Sequence, residues 1–272
     1  MRAKAVCAIL AVCSAGLPAA PALATPQPVK AAVLRSQGTY FLGMTIWREL
    51  NSGWSQFGET PVQIDYTSLA GYNWTVEDIA ATGADVLVFS VPGYMHHTDA
   101  EINAIVQYVQ AGHGLIITYD DFLWNRKALA PLVGLSTSII LGTGTAADPI
   151  QIDPLVPDHP VFAGLRGPYV SGVRFNATAY PHSWVLDGGT VLANLFTAVL
   201  PPRPGIIAND AGTYRGLYFS YYVEDKDGGA NLQDMQVFYN ALVWAGTPEP
   251  ATAALLLSGS LALLSRRRRW FV

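Results

Sequence analysis

Apolar positions change their period along this chain, and the changes divide it into alternating elements. Residues 30–34 are a short run, apolar after Lys30, which predicts a strand. Over 40–50 the apolar side chains Phe41, Met44, Trp47 and Leu50 recur at helical spacing. Residues 61–66 predict a second strand. Thr75 is a good N-cap, and Asp78 three residues later makes an approximate capping box for a short helix over 76–82. Residues 85–91 hold the uninterrupted apolar run Val-Leu-Val-Phe at their centre, the pattern of a strand buried on both faces. Thr98 and Glu101 form a second capping-box pattern. Ile102, Ile105, Val106 and Val109 then make one apolar stripe, and Gly112 stops the helix. Residues 115–118 read as another buried strand and 126–133 as a short helix. Strands and helices alternating with short connections predict a parallel sheet with helices on both faces.

The second half is less regular. Residues 134–168 are rich in Gly, Pro, Asp and Thr, which predicts mainly loop with a few short strands. Residues 190–196, 205–208 and 215–222 read as strands added at one edge, with antiparallel pairing open to them. An amphipathic helix over 232–244 closes the fold. There is no internal repeat.

The two ends carry a different pattern. Pro248, Glu249 and Pro250 precede an uncharged apolar run over 251–264, followed by Arg266, Arg267, Arg268 and Arg269. The prolines block continuation of the preceding helix. As a helix the run spans about 21 Å, short of the roughly 30 Å hydrocarbon core. Snorkelling arginines can extend it, and the positive-inside rule leaves them on the cytoplasmic side. A plain C-terminal anchor would share these features. The combination of triplet, short span and arginines resembles the PEP-CTERM sorting signal, which exosortases recognise and process. The resemblance implies exosortase as a partner and transient contact with the inner membrane, and it favours a tail that is cut. At the other end, Arg2 and Lys4 precede an apolar stretch over 6–17 and the cleavage pattern Ala22-Leu23-Ala24. That is the form of a signal peptide, removed by signal peptidase so that the mature chain begins near Thr25. The expected organisation is a leader over 1–24, one domain over 25–247 and a sorting tail over 248–272, with export to the cell surface or beyond.

Processing changes the composition. Both cysteines, Cys7 and Cys13, lie in the leader, so the mature domain has no disulfide and no thiol nucleophile. Residues 25–247 hold 10 basic and 19 acidic residues, a net charge of −9 against −4 for the whole chain. That balance disfavours nucleic acid and anionic membrane as partners of the domain.

The segment TDAEINAIVQYVQAGHGLII, from Thr98 to Ile117, resembles the helix–glycine–strand unit of class I glutamine amidotransferase-like domains, including their ThuA-like branch. The loop from Asp158 to Leu165, DHPVFAGL, is similar to one common in those relatives. Arg215 to Ser220, RGLYFS, with Phe238 to Trp244, FYNALVW, is similar to their last strand and closing helix. The likeness spans about 30–246. It implies a flavodoxin-like α/β fold, a parallel sheet with helices on both faces and some added antiparallel edge strands. Amidotransferases of this class place a cysteine on the sharp turn after a strand, with a histidine and a carboxylate. Here the corresponding turn reads Tyr119-Asp120-Asp121-Phe122, with neither cysteine nor serine nor elbow glycines. Family amidotransferase chemistry is not expected of it, and a fold alone does not assign another.

Candidate chemistry gathers where parallel strands end. His96 and His97 follow one strand, Asp120 and Asp121 the next, and Arg35 and Ser36 the first. Such a rim suits an acid/base pair for glycan hydrolysis or a divalent cation. Capping and solvated roles explain the same residues, and adjacent Asp120 and Asp121 would diverge. Leu141 to Ala146 lacks the third glycine and the strand–helix setting of a dinucleotide fingerprint, and the acidic stretches at 148–158 and 224–229 lack the ligand density of a calcium loop. No cofactor or metal is expected. Tyr66, Tyr72, Trp74, Tyr94, Trp124, Tyr180 and Trp184 sit in or beside predicted loops, where exposed rings can stack on sugar faces, although core packing accounts for aromatics equally well. Arg35, Trp74 and Trp124 are the candidate ligand contacts. The expectation is an exported binding domain with extracellular polysaccharide as the preferred partner. The alternative is a glycan-directed hydrolase built on Asp120, Asp121, His96 and His97.

Overall fold

The computed structural model describes residues 28–35, 47, 50, 64–70, 73–90, 97–119, 125–138, 141–143, 149–174, 179–181, 186–224 and 229–247. The strands are β1 (Val29–Arg35), β2 (Ile64–Ala70), β3 (Val86–Ser90), β4 (Gly114–Thr118), β5 (Leu141–Thr143), β6 (Pro149–Pro154), β7 (Tyr169–Arg174), β8 (Ala179–Pro181), β9 (Thr190–Phe196), β10 (Arg203–Asp210) and β11 (Arg215–Phe219). Among the described residues the α-helices with defined bounds are α1 (Val76–Ala81), α2 (Asp99–Gln110) and α3 (Leu232–Gly246). Among the described residues nine strands form one sheet in the order β2-β1-β3-β4-β11-β10-β9-β6-β7, and β5 pairs separately with β8.

The sheet has two halves. From β2 to β11 every pairing is parallel. That half has the 2-1-3-4-5 order of a flavodoxin-like sheet, which places candidate sites at the carboxyl ends of its strands. From β11 to β7 every pairing is antiparallel. The parallel strands are apolar on both faces because both faces are covered. Val33, Val86, Val88, Ile116, Leu217 and Phe219 join the core beneath α3. Ala32, Leu34, Leu87, Phe89, Ile117 and Tyr218 join a second core beneath α1, α2 and the 3₁₀ segment Asn125–Val133. Trp47 and Leu50 are helical and buried, and the Trp47 ring meets Phe238 of α3 edge-on at 5.3 Å.

Local chemistry accounts for the element ends. Complete capping boxes start α1 at Thr75/Asp78, α2 at Thr98/Glu101 and α3 at Asn231/Asp234. Each satisfies backbone N–H groups that a helix start leaves without partners. Gly112 follows α2 at φ 115°, a left-handed conformation that favours glycine.

The structure departs from the expected pattern in three places. The segment Asn125–Val133 is 3₁₀ with Pro131 inside it, a residue that lacks the N–H an α-helix would use there. Strand β11 lies inside the sheet, parallel to β4, where an edge position was expected. Gly216 permits this: a Cβ there would stand 1.9 Å from the Leu132 carbonyl oxygen, so any side chain would push the 3₁₀ segment off the strand. Strands β6 and β7 extend the sheet from a region read mainly as loop. On its other side β7 meets the start of α3: the Gly172 N–H donates to Asp234 Oδ2 at 2.9 Å, and Asn231 Nδ2 donates to the Val170 carbonyl at 2.8 Å.

Candidate functional site

The parallel strands end together at Arg35, Ala70, Ser90, Thr118 and Phe219. The turn after β4 is sharp. Tyr119 sits at φ 42°, a region that costs a non-glycine residue ~1–3 kcal/mol. Its N–H donates to the Phe219 carbonyl at 3.0 Å, so β4 and β11 leave the sheet as a pair. The Tyr119 ring lies against Tyr222 with centroids 4.1 Å apart. One residue earlier, the Thr118 hydroxyl donates to the fully buried Glu224 carboxylate. A tyrosine phenol packed on a second tyrosine thus stands at the strained position of the turn, where a nucleophile would need a small exposed side chain.

A second polar group occupies the rim on the α2 side. His97 is 2% exposed. Its ring lies 5.3 Å from Trp74 and 5.0 Å from Phe89, centroid to centroid, and Nδ1 is 3.8 Å from Glu101 Oε2. The buried Arg126 guanidinium stands 5.7 Å from the centroid of the Phe89 ring. Glu101 does three things from one place. It accepts the Thr98 N–H at 2.7 Å as part of the α2 capping box, it accepts the Asn73 N–H from the loop before α1, and it faces His97. Burial lowers the His97 pKa to about 4; Glu101 opposes that shift and Arg126 adds to it. His97 is therefore a neutral imidazole at pH 7, enclosed by rings.

The candidates from sequence divide as follows. His97 and Trp74 come together, but inward: Trp74 is 4% exposed, and its ring packs on His97 where a sugar platform would have to face solvent. Arg35 ends β1 at the rim, with its side chain outside the described part. His96, Asp120, Asp121, Trp124, Ser36, the sorting residues Pro248, Glu249 and Pro250, and the four arginines 266–269 lie outside the described residues. Among the described residues no group of three His, Cys, Asp or Glu side chains could hold a metal ion. Among them, too, no helix is long and apolar enough to cross a membrane, and the run 251–264 lies outside that set.

Sequence pattern alone did not expose four buried polar residues. Arg126 and Glu224 are 0% exposed, in segments read as a short helix and an acidic turn. The Tyr169 and Tyr221 hydroxyls meet at 2.8 Å in the core below α3, and burial pushes both phenols well above their ordinary range. Their separation of 52 residues leaves no local signal. Asp234 is raised to about 6 by burial, against hydrogen bonds from Asn231, Gly172 and Ser171. The Asn231–Asp234 spacing repeats the pattern at Thr75 and Thr98 and was visible in the sequence.

No family model matches the chain, and no curated protein does. Solved structures share its fold and are distant in sequence. A ThuA-like protein from Bacteroides uniformis aligns with a TM-score of 0.56 at 16% identity, covering 85% of this chain and 95% of that one. A ThuA-like protein from Parabacteroides merdae gives 0.51 at 12% identity, over 81% and 90% of the two chains. A β-galactosidase from Bacillus circulans sp. alkalophilus gives 0.51 at 15% identity over 82% of this chain, which spans only 32% of that enzyme. The fold carried by this chain is a ThuA-like α/β fold.

Proposed function

We propose that this chain is an exported cell-surface or extracellular-matrix protein, delivered by an exosortase-recognised tail, whose ThuA-like domain binds a ligand without transforming it. Polysaccharide is the preferred ligand class. One observation carries the non-amidotransferase reading: the strained turn after β4 presents Tyr119, packed on Tyr222, at the position where an amidotransferase-like domain would need its nucleophile. The sealed, neutral His97 supports it, since an enclosed imidazole has no route to a substrate proton. Leader and tail support the export half. The polysaccharide preference draws on the loop aromatics, Trp124 foremost, and on the occurrence of this fold within a β-galactosidase chain. That occurrence also favours the second reading, a glycan hydrolase using His96 with Asp120 or Asp121.

Two measurements test the proposal. Fractionation of cells expressing the full chain should find it with the envelope, and deletion of 248–272 should release it folded. An unchanged location would remove the sorting role. A glycan-array and hydrolase screen, with and without divalent ions, separates binding from turnover. Retention without turnover, lost in Trp124→Ala, supports the binding domain. Turnover lost in Asp120→Asn or His96→Gln replaces it with the hydrolase, and no retention on any glycan ends the polysaccharide preference.

A further inference from the structure

The last turn of α3 is enclosed by the beginnings of four neighbouring parallel strands. A Cβ on Gly246 would meet Val29 Cγ1, at the start of β1, at 2.5 Å and Asp85 Cβ, just before β3, at 3.5 Å. A Cβ on Gly114, the first residue of β4, would meet the Ala245 carbonyl oxygen at 2.4 Å. Arg215, the first residue of β11, donates from Nη1 to the Trp244 carbonyl at 3.0 Å, to the Thr247 carbonyl at 3.4 Å and to Thr247 Oγ1 at 3.3 Å. Its guanidinium lies 5.0 Å from the centroid of the Trp244 ring, and its Nε is 3.5 Å from Asp210 Oδ2. The chain therefore leaves the domain at Thr247 from the middle of the base, the end of the sheet opposite Ser90, Tyr119 and Phe219. Residue 28, where the described chain begins, lies at the same end, one residue before β1.

Resting on the tail reading above, we infer that, while the tail is uncut, the domain is held by its base. The amino-end face of the parallel strands lies toward the lipid surface, and the carboxyl rim is turned away from it. Linker length supports this orientation. Only residues 248–250 separate Thr247 from the apolar run, a reach of about 11 Å even when fully extended. Two of the three are proline, which stiffens a linker. The parallel strands add about 16 Å between base and rim. A domain so short of tether cannot turn over to bring its rim to the membrane, so the rim meets large soluble or matrix polymers and not lipid.

The absence of cysteine from the mature domain makes the orientation measurable. Ala100→Cys places a thiol on an exposed position at the rim end of α2. Thr213→Cys places one on the exposed turn between β10 and β11 at the base, beside Gly112. The full chain is expressed in a Gram-negative host that lacks an exosortase, so that the tail is kept, and spheroplasts are treated with a bulky, membrane-impermeant polyethylene-glycol maleimide. The rate for each variant is compared with its rate after solubilisation in detergent, and the unsubstituted chain gives the background. Ala100→Cys should label at nearly its detergent rate, and Thr213→Cys several-fold more slowly on the membrane than in detergent. Equal slowing of both, or slowing of Ala100→Cys alone, in a protein that deletion of 248–272 still releases, overturns the orientation and leaves the tail reading standing. A chain found in the soluble fraction, or one that stays bound without 248–272, overturns both.

Discussion

Glu101 and Asp234 hold the same post in two different helices. Each is the N3 carboxylate of a capping box, each is almost fully buried, and each takes a distant backbone N–H besides its own cap: Asn73 for Glu101, Gly172 for Asp234. Their surroundings differ. Glu101 faces His97, with Arg126 acting on the same imidazole. Asp234 neighbours the Tyr169–Tyr221 hydroxyl pair, and burial raises it to about 6. A buried cap is thus a clasp between elements, and the charge beside it decides how the clasp responds to protons. The first clasp joins α2 to the loop before α1 at the rim; the second joins α3 to β7 in the antiparallel half.

The largest effect should come from cutting the first clasp. Glu101→Ala leaves the Asn73 and Thr98 N–H groups without their charged acceptor, at a cost of about 3–5 kcal/mol. Asp234→Ala loses two backbone bonds but removes a group that burial already disfavours, and should cost about 2 kcal/mol. Urea unfolding of both variants at pH 7 checks the order, and equal losses would dissolve the distinction between the two sites.

Opposite pH slopes come next. The folded pKa of His97 is depressed from 6.5 to about 4, so its contribution to stability is present above 6.5 and is lost as pH falls through about 4, by up to roughly 3 kcal/mol. Asp234 is raised from 3.8 to about 6, so its contribution is present below 3.8 and is lost as pH rises through about 6. Between pH 4 and 6 the two oppose each other. Compared with the parent chain, His97→Phe should gain stability relative to pH 7 as pH falls toward 4.5, and Asp234→Asn should lose it. Urea midpoints at the two pH values for the three proteins measure both signs, and matching signs would refute the assignment.

The smallest effect sharpens the second region. Tyr221→Phe removes one hydroxyl of the 2.8 Å pair and leaves that of Tyr169 buried beside Asp234, for a loss of about 1–2 kcal/mol. The doubly substituted Tyr169→Phe, Tyr221→Phe protein should recover part of that loss in the same urea titration, because no orphaned hydroxyl remains.

The parallel half was legible because its signals are local. Thr75/Asp78 and Thr98/Glu101 announced two helices, and the apolar runs at 86–90 and 114–118 announced strands covered on both faces. The antiparallel half was less so. In β6 the alternation is two residues deep, with Ile150 and Ile152 buried beside an exposed Gln151 between prolines, too short to separate from loop. The place of β11 depended on Gly216 accepting the Leu132 carbonyl, a contact between residues 84 apart in the chain. At the candidate site, sequence brought His97 and Trp74 to the same end of the sheet but could not say that they face each other. Side-chain direction at a rim depends on tertiary neighbours such as Phe89 and Arg126, which no spacing rule encodes.

The contact of α3 with β7 has one more consequence. A terminal strand normally offers its free amides and carbonyls to any passing extended chain, and copies of a protein crowded at a surface would meet one another that way. With Gly172 and Val170 engaged by Asp234 and Asn231, β7 has no vacant ladder at those positions, although Val170 itself is half exposed and Leu232 more so. The helix start that completes the fold thus also closes this edge of the sheet to strand pairing at those positions.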